Sequence, residues 1–475
     1  MRKTMRAEEG RQLRIVFEGQ PGRAGAEPRE HPEAPTRARS TEADELDATV
    51  GNTEDLLERI CSRENMQAAC DRVVRNGGAG GVDGMEAAEL DAWLSDNHDA
   101  LTDRILRGKY RPKPVRRVEI PKKERGKVRL LGIPTCVDRM VQQAVAQQLA
   151  PIFEPRFHRD SYGFRPGRSA HDALLAVKRH ADAGNAWVAS MDLERFFDTV
   201  NQSKLVQLLS DALVDRRVVS LVHRFLMAGV AVDGIVEETG EGTPQGGPLS
   251  PLLANVLLNE LDWELERRGH AFVRYADDLV IMKRSRKAAE RAMASVARFV
   301  ESRLFLTVNR EKSFVAHVSE GVKYLGYGFY ERDGGLRLRV HPKSAASLKD
   351  RVREILSRSN GWSLEYRRHR LRCLVHGWVG YFRLADMRRM LRDLDGWVRR
   401  KIRCVYWKCW KRTSAKFRAL VRLGVGRRQA WHWANSRKAY WRVAGSGILH
   451  RALGNDRLEE LGWASFRKRY LQVSC

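Results

Sequence analysis

The stretch of the chain that decides the fold is Phe272-Val273-Arg274-Tyr275-Ala276-Asp277-Asp278-Leu279-Val280-Ile281-Met282. It sets two adjacent carboxylates between two short apolar runs, which is typical of a buried β-hairpin whose tight turn carries both acids. Two neighbouring carboxylates repel each other and burial disfavours their charged form, so a divalent cation is the natural stabiliser. An isolated Asp-Asp pair is also typical of a turn in which aspartate merely suits the backbone.

A second acid lies upstream, at the end of another apolar run. Residues 187–191 are apolar enough to predict a short strand, and Asp192 follows directly. Alone, Asp192 would also suit a helix N-cap. Together with Asp277 and Asp278 it would form an all-oxygen site for two Mg²⁺ ions, the arrangement that supports in-line phosphoryl transfer. The sequence therefore predicts that these three aspartates are catalytic and bind metal.

The charge of the chain is concentrated in its C-terminal third. The whole chain has 86 Lys and Arg against 59 Asp and Glu, a net charge of +27, and residues 331–475 carry +25 of it. Residues 396–455 contain no acid and interleave cations with tryptophan and tyrosine, which favours nucleic-acid contact over a merely solvated face. The cations predicted to make this contact are Arg399, Arg400, Lys401, Arg403, Lys408, Lys411 and Arg412.

Several classes of protein are excluded by composition. No window has eighteen apolar residues without charge, and the N-terminus lacks the apolar core of a secretory signal. The seven cysteines include no CxxC pair, which argues against a disulfide framework or a zinc knuckle. The sequence predicts a cytoplasmic protein without a membrane partner.

The pattern of elements predicts an α+β fold. Residues 1–53 are rich in charge, Pro and Gly and are predicted to be a disordered arm, and a helix is predicted from Glu54 to the glycines that begin at Gly77. Residues 115–134 alternate and are basic, which predicts a β-hairpin turning near residues 124–126.

Strands are predicted at residues 272–275, 279–282 and 322–329, and the chain is predicted to be helical from there to its end. Strands among helices without regular alternation favour α+β over a doubly wound sheet.

These motifs resemble the catalytic blocks of reverse transcriptases encoded by group II introns, in order and in spacing. The box Tyr275–Asp278, the pair Asp192 and Phe197, and the segment 242–251 carry the resemblance. Further similar blocks are residues 126–134, 162–167, 306–312 and 324–326, and residues 377–382 resemble the maturase or thumb signature of the same family.

The resemblance implies a role for each residue at the predicted metal site. Asp192 and Asp277 would be the metal ligands and Asp278 the less direct third carboxylate. Phe197 would be the steric gate that disfavours a ribose 2′-hydroxyl, although an aromatic beside another aromatic also suits a core. Lys312 would be the general acid for pyrophosphate departure, although a lysine near a strand end is usually just exposed.

The resemblance also implies residues that bind the incoming nucleotide. Gln245 would lie near the nascent base pair, and Lys123 and Arg129 would grip the triphosphate. Whether Lys122, Lys123 or Lys127 does so stays open, and each also fits a solvated face.

As a whole, the resemblance implies a right-hand polymerase with an antiparallel palm sheet and a basic helical C-terminal region. Its regions would be a disordered arm (1–53), fingers and palm (54–330), a thumb or maturase domain (331–415) and a basic region that binds DNA or RNA (416–475). It implies RNA-directed DNA synthesis from deoxynucleoside triphosphates, binding of intron RNA, help in splicing, and retrohoming into target DNA.

Two departures and two alternatives accompany this expectation. Leu130 follows Arg129 where the family usually has proline. Many relatives carry an H-N-H endonuclease with paired cysteines, and Cys404, Cys409 and Cys475 lack that spacing. In this respect the chain resembles the endonuclease-lacking bacterial group IIC subset. A splicing chaperone without polymerase activity would have no use for three acids facing a polyanion. A host-adopted reverse transcriptase of DNA repair or phage defence is the other alternative.

Overall fold

A computed structural model of the protein describes residues 54–121, 128–232, 235–237, 240–243 and 246–474. The predicted N-terminal arm, the hairpin turn at residues 124–126, and the predicted site residues Lys123 and Gln245 lie outside the described residues.

The helices and strands alternate irregularly along the chain. The helices are α1 (Leu56–Cys61), α2 (Arg63–Asn76), α3 (Leu90–Leu106), α4 (Cys136–Phe153), α5 (Ala170–Asp182), α6 (Phe196–Thr199), α7 (Gln202–Ala212), α8 (Arg216–Leu226), α9 (Ser250–Arg267), α10 (Arg286–Arg303), α11 (Pro342–Ile355), α12 (Leu364–Tyr381), α13 (Arg388–Cys409), α14 (Thr413–Arg422), α15 (Arg427–Ala434), α16 (Tyr440–Ala444), α17 (Gly447–Ala452), α18 (Asn455–Glu460) and α19 (Phe466–Val473). The strands are β1 (Val115–Pro121), β2 (Val128–Ile133), β3 (Trp187–Met191), β4 (Val230–Val232), β5 (Ile235–Glu237), β6 (Ala271–Tyr275), β7 (Asp278–Lys283), β8 (Phe314–His317), β9 (Lys323–Tyr324), β10 (Tyr327–Arg332) and β11 (Gly335–Val340).

Three sheets organise these strands, in the orders β2-β1-β4-β5, β6-β7-β3-β8 and β11-β10-β9. We call the second one the palm sheet. β6 and β7 form an antiparallel hairpin, as predicted from the two apolar runs that flank Asp277 and Asp278, and β1 and β2 pair antiparallel, as predicted from the alternation of residues 115–134. Sheets among helices without regular βα alternation confirm the predicted α+β class.

The chain divides into two compact units. The first comprises residues 1–173, 189–283 and 287–315, and the second comprises residues 174–188, 284–286 and 316–475. Apart from the hairpin β10–β11 and short β9, the part of the second unit after residue 316 is helical, with a core that includes Trp407, Leu420 and Leu449. No helix among the described residues is both long and apolar enough to cross a membrane.

The predicted strand at residues 322–329 is wrong in its continuity. Leu325 and Gly326 both adopt positive φ (48° and 83°), so the chain bends and two strands, β9 and β10, pair antiparallel. β11 then follows where a helical continuation was predicted, because alternate residues of 335–340 bury their side chains against one face.

The single helix predicted after Glu54 is also wrong. Ser62 is extended and its hydroxyl accepts a hydrogen bond from the Asn65 N–H at 3.2 Å, so α1 ends and α2 begins at this cap. The predicted end of the helix before Gly77 is confirmed, because Gly77 has φ of 63°.

Candidate active site

The two predicted acids of the hairpin lie at a tight turn. Tyr275 and Asp278 form the last pair of the β6–β7 ladder, so Ala276 and Asp277 make the two-residue connection. Ala276 has φ of 55°, an unusual conformation for a residue with a Cβ, and it is buried. Asp277 is half-buried, Asp278 is exposed, and burial raises the pKa of the Tyr275 phenol.

Asp192 follows β3, which is the neighbour of β7 in the palm sheet. Its backbone is held on both sides: its N–H donates to the Ser313 hydroxyl at 3.1 Å, and its carbonyl accepts from the Asn309 N–H at 2.8 Å. The next residues bridge antiparallel, since Leu193 pairs with Val308. The backbone of Asp192 is therefore fixed while its carboxylate stays 37% exposed.

Lys312 lies beside this carboxylate. Its ammonium nitrogen is 3.5 Å from Oδ2 of Asp192, and its side chain is 52% exposed. The Lys312 N–H donates to the side chain of Asn309 at 3.2 Å, in the same turn that holds Asp192. The structure thus brings together two residues that lie 120 positions apart in the sequence. The residues that sequence reasoning missed here are Asn309 and Ser313; the first stands in a block already recognised as similar, which was the available signal.

Phe197 lies on α6 next to the 242–251 segment. It is half-buried, and its ring packs edge-on against the buried Phe196, with centroids 5.1 Å apart. The Thr243 N–H donates to the Phe197 carbonyl at 2.6 Å. A Cβ on Gly242 would lie 2.8 Å from the Asp198 carbonyl oxygen, so only glycine permits this approach.

The same segment also reaches the β1–β2 hairpin. A Cβ on Gly246 would lie 2.4 Å from the Gly132 carbonyl oxygen, and one on Gly247 would lie 2.1 Å from Oε1 of Gln142. Arg129 lies on β2, where its backbone pairs with Ile120. The block at residues 126–134 and the block at residues 242–251 therefore meet in the first unit.

The predicted nucleic-acid-binding residues all lie on or just after α13 and differ in their surroundings. Lys408, Lys411 and Arg412 are exposed. Arg400 is half-buried, with its guanidinium 4.2 Å from the Trp441 ring centroid, and Lys401 is 5.2 Å from that of Trp397. Arg399 is half-buried as well.

Arg403 faces the interior of the second unit rather than solvent. It is 3% exposed, its Nε donates to the Leu453 carbonyl at 2.9 Å, and its Nη1 lies 3.1 Å from Nε2 of His450. The linear spacing of cations could not separate this residue from its exposed neighbours, because on a helix the buried and exposed faces alternate within one turn.

The donor chemistry of the three aspartates fits a hard divalent cation. Among the described residues, no three His, Cys, Asp or Glu side chains form a cluster that could hold a metal ion by themselves. Mg²⁺ is usually bound by one or two carboxylates together with waters and substrate phosphates, not by a cage made only of protein. Asp192 directly follows β3 and Asp277 directly precedes β7, and these two strands are neighbours in the palm sheet.

Comparison with known proteins gives two matching family models. Residues 120–329 match the reverse transcriptase (RNA-dependent DNA polymerase) family, and residues 345–424 match the group II intron maturase-specific domain. The chain is 37% identical over 285 residues to protein YkfC of Escherichia coli (strain K12), covering 52% of this chain and 74% of YkfC. The chain belongs to the family of group II intron-encoded reverse transcriptases.

A further relative is the group II intron-encoded protein LtrA of Lactococcus lactis subsp. cremoris, 29% identical over 345 residues, which are 55% of this chain. The chain spans 57% of the length of LtrA. A solved structure, a partial Cas6-RT-Cas1–Cas2 complex, is 25% identical, with a TM-score of 0.34 over 52% of this chain and 42% of that one. Both acidic motifs, Asp192 and Asp277-Asp278, lie inside the matched reverse transcriptase domain, so the enzyme class of this group II intron-encoded protein is RNA-directed DNA polymerase.

Proposed function

We propose that the protein copies RNA into DNA by two-metal nucleotidyl transfer and, as a maturase, binds the RNA of its own intron. The observation that carries this proposal is Asp192, whose backbone is locked by Asn309 and Ser313 while its carboxylate remains accessible beside the strand that opens at Asp278. Such a carboxylate, held rigid but open to solvent, is suited to bind an ion that arrives with substrate.

In this proposal Asp192 and Asp277 hold two Mg²⁺ ions, and Asp278 supports them through its negative charge. Held by these aspartates, the ions would supply Lewis-acid chemistry: they would lower the pKa of the primer 3′-hydroxyl and offset the charge of the triphosphate. Because the Asp192 backbone is fixed on both sides, its carboxylate needs little reorganisation to reach the reactive geometry.

Lys312 has two functions in the proposal. Its ammonium, 3.5 Å from Asp192, compensates the carboxylate charge, and it can give a proton to the departing pyrophosphate. Both side chains of the pair are partly exposed, so the pair contributes little to stability, and Lys312 can turn towards substrate.

Substrate selection falls to the surroundings of α6. Phe197 is proposed as the steric gate, supported by the docking of Thr243 on its carbonyl, which fixes the backbone beneath the ring. Arg129, Lys123 and Gln245 are proposed to bind the incoming nucleotide, supported by the contact between Gly246 and Gly132 that joins their two blocks.

Nucleic-acid binding is assigned to the basic third of the chain. We assign residues 54–330 to fingers and palm, 331–415 to the thumb and 416–475 to a DNA- or RNA-binding region. Lys408, Lys411 and Arg412 supply exposed charge at the thumb boundary, and Trp431 and Trp441 add exposed rings on which bases can stack. Arg403 is left out of this surface because its donors bind protein.

The match at residues 345–424 supports the maturase part of the proposal. Intron RNA, an RNA template with a DNA primer, and target DNA would be the partners, and splicing followed by target-primed synthesis would be the biological use. A chaperone without polymerase activity would give no reason for an accessible carboxylate locked at the end of β3.

Primer extension tests the polymerase proposal. The wild type is expected to extend a DNA primer on an RNA template with Mg²⁺ and deoxynucleotides, and Asp277→Asn is expected to bind the same duplex without extending it. Glu194→Gln is the matched control, since it removes an exposed carboxylate two residues from Asp192. If neither the wild type nor the control extends while both bind intron RNA, the polymerase proposal fails and the chaperone alternative replaces it.

A further inference from the structure

One arginine inside the hairpin is fully committed to protein contacts. Arg274 on β6 is 1% exposed, and all five of its guanidinium N–H groups donate hydrogen bonds. Nε donates to Oδ1 of Asp262 at 2.7 Å and Nη2 to the other oxygen of the same carboxylate, which is completely buried. A fork-to-fork pair of this kind fixes the plane of the guanidinium.

The remaining donors link three separate segments. Nη2 donates to the Ser161 hydroxyl at 2.7 Å, and Nη1 donates to Oδ1 of Asn255 at 2.9 Å and to the backbone carbonyl of Ala276 at 3.0 Å. Ala276 is the residue immediately before Asp277. The guanidinium therefore contacts the catalytic turn directly, through its hydrogen bond to the Ala276 carbonyl.

The turn is also held by backbone contacts with residues 160–163. The backbone of Arg274 exchanges hydrogen bonds with Asp160 and Tyr162, so this segment runs parallel to the end of β6. A Cβ on Gly163 would lie only 2.3 Å from the Ala276 nitrogen, and the Gly163 carbonyl accepts from Nδ2 of Asn255 at 2.8 Å. The backbone of Ala276 is therefore contacted by both Gly163 and the guanidinium of Arg274.

We propose that Arg274, together with Asp262, Asn255 and Gly163, forms a buried clamp that positions the catalytic turn and thereby Asp277. Arg274 acts through the Ala276 carbonyl and is a positioning residue. This inference rests on the proposed function, because it assigns the clamp to the aspartate that this function uses.

The clamp explains how a residue with a Cβ is kept at φ of 55° in a two-residue turn. A strained conformation persists only where the surroundings determine it more than once, and here a guanidinium and a glycine contact do so from different segments. Lysine could not replace Arg274, because its three donors cannot satisfy five acceptors in one plane.

The first test uses Arg274→Lys in the full chain. Single-turnover rates at saturating substrates are expected to fall about a hundredfold per active site, the scale of a small misplacement of a reacting group. The dissociation constant for primer–template is expected to change less than about twofold, because no duplex contact is removed. Hydrogen exchange of the peptide 271–283 is expected to accelerate about tenfold at the turn, with protection elsewhere unchanged.

Arg367→Lys is the matched control. Arg367 is 3% exposed and donates to the carbonyls of Ile355, Ser357 and Trp362. Arg367→Lys therefore also replaces a buried, hydrogen-bonded arginine, but one in the second unit. It should lower the melting temperature without changing the rate per active site. Uniform loss of protection across the first unit in Arg274→Lys, or a rate loss explained entirely by a smaller active fraction, would overturn the positioning role.

Gly163→Ala is a second variant that leaves every charge in place. Its added Cβ pushes against the Ala276 nitrogen, so it should accelerate exchange in peptide 271–283 and lower the rate as Arg274→Lys does. Gly396→Ala, on an open helical surface, is the control and should change neither. Normal exchange and rate in Gly163→Ala would contradict the clamp. If the wild type makes no DNA, the proposed function fails on its own, whereas the exchange measurement still reports whether the clamp holds the turn.

Discussion

Residues 1–330 carry a net charge of only +2 and contain the palm sheet, whereas residues 331–475 carry +25 and are largely helical. Arg274 in the first part is buried and spends every donor on protein, while Lys408, Lys411 and Arg412 in the second part are exposed. Charge in this chain therefore serves two purposes: buried cations such as Arg274 fix local geometry, whereas the exposed cations of residues 331–475 remain available to a polyanion.

If charge is divided in this way, substitutions in the palm should slow nucleotide addition and leave the affinity for nucleic acid unchanged. Asp192→Asn is expected to lower the single-turnover rate of nucleotide addition about a thousandfold or more, because a metal ligand that supplies several kcal/mol is lost. Affinity for primer–template should stay within about twofold. Rapid-quench kinetics measure the rate and a filter-binding assay measures the affinity. An equal loss of affinity would contradict the separation of catalysis in the palm from binding by the basic third.

Substitutions in the basic third of the chain (residues 331–475) should weaken nucleic-acid binding without slowing nucleotide addition. Changing Lys408, Lys411 and Arg412 together to Ala is expected to weaken RNA affinity about tenfold near physiological salt and to reduce the salt dependence of log Kd by about 2. The rate of the bound complex should not change.

The matched control for that variant removes three exposed cations of α10, Lys287, Arg291 and Arg298, and should affect RNA affinity far less. Equal losses in the two triple variants would mean that total charge, and not the basic region, determines binding.

The steric gate gives a smaller effect within the palm. Phe197→Ala should raise the use of ribonucleotides relative to deoxynucleotides about tenfold, because the 2′-hydroxyl no longer meets a ring. Phe196→Leu, a change in the buried neighbour, is the control for altered packing. Competition between the two nucleotide types in one extension reaction measures the ratio, and an unchanged ratio would remove Phe197 from substrate selection.

The smallest effect concerns pH and the basic region alone. Burial, and then the positive charge of Arg403, lowers the pKa of His450 from its ordinary value of 6.5. The folded state therefore prefers neutral His450, and its stability is complete above pH 6.5 and decreases as the pH falls below it.

Melting curves at pH 7.5 and 5.5 measure this loss. His450→Gln, which can still accept from Arg403 but does not titrate, should lose less stability on acidification than the wild type. His376→Gln is a useful comparison because burial also lowers the pKa of His376, in α12. An identical loss in the wild type and in His450→Gln would exclude this histidine as the cause.

The palm hairpin and β3 could be predicted from the sequence because each is a short apolar run that ends in acid, a local pattern. β4 and β5 could not, since three-residue strands form only by pairing: β4 pairs with β1, more than a hundred residues away, and β5 pairs with β4. β11 alternates buried and exposed residues, a two-residue period that stood in the sequence and was missed when a helix was predicted from residue 330 to the end of the chain.

The aspartates of the site could be predicted from the sequence, but the residues that hold them and the catalytic turn in position could not. Nothing in the linear sequence indicates that Ser313 holds the Asp192 backbone or that Asp262 pairs with Arg274, because both contacts depend on how distant elements pack. Arg274 stands within the fold-deciding stretch, yet an arginine between Val273 and Tyr275 looks like an ordinary exposed strand residue. Its burial is the signal, and only the structure gives it.

Metal binding in the assembled complex tests whether Asp192 and Asp277 hold two Mg²⁺ ions. Full-length protein with an RNA template, a chain-terminated DNA primer and the next deoxynucleotide would be titrated with Mn²⁺ and followed by electron paramagnetic resonance. Two bound ions are expected in the wild type and in Glu194→Gln, and at least one ion should be lost or bind about tenfold more weakly in Asp192→Asn and in Asp277→Asn. Two ions bound equally tightly in all four proteins would contradict this expectation.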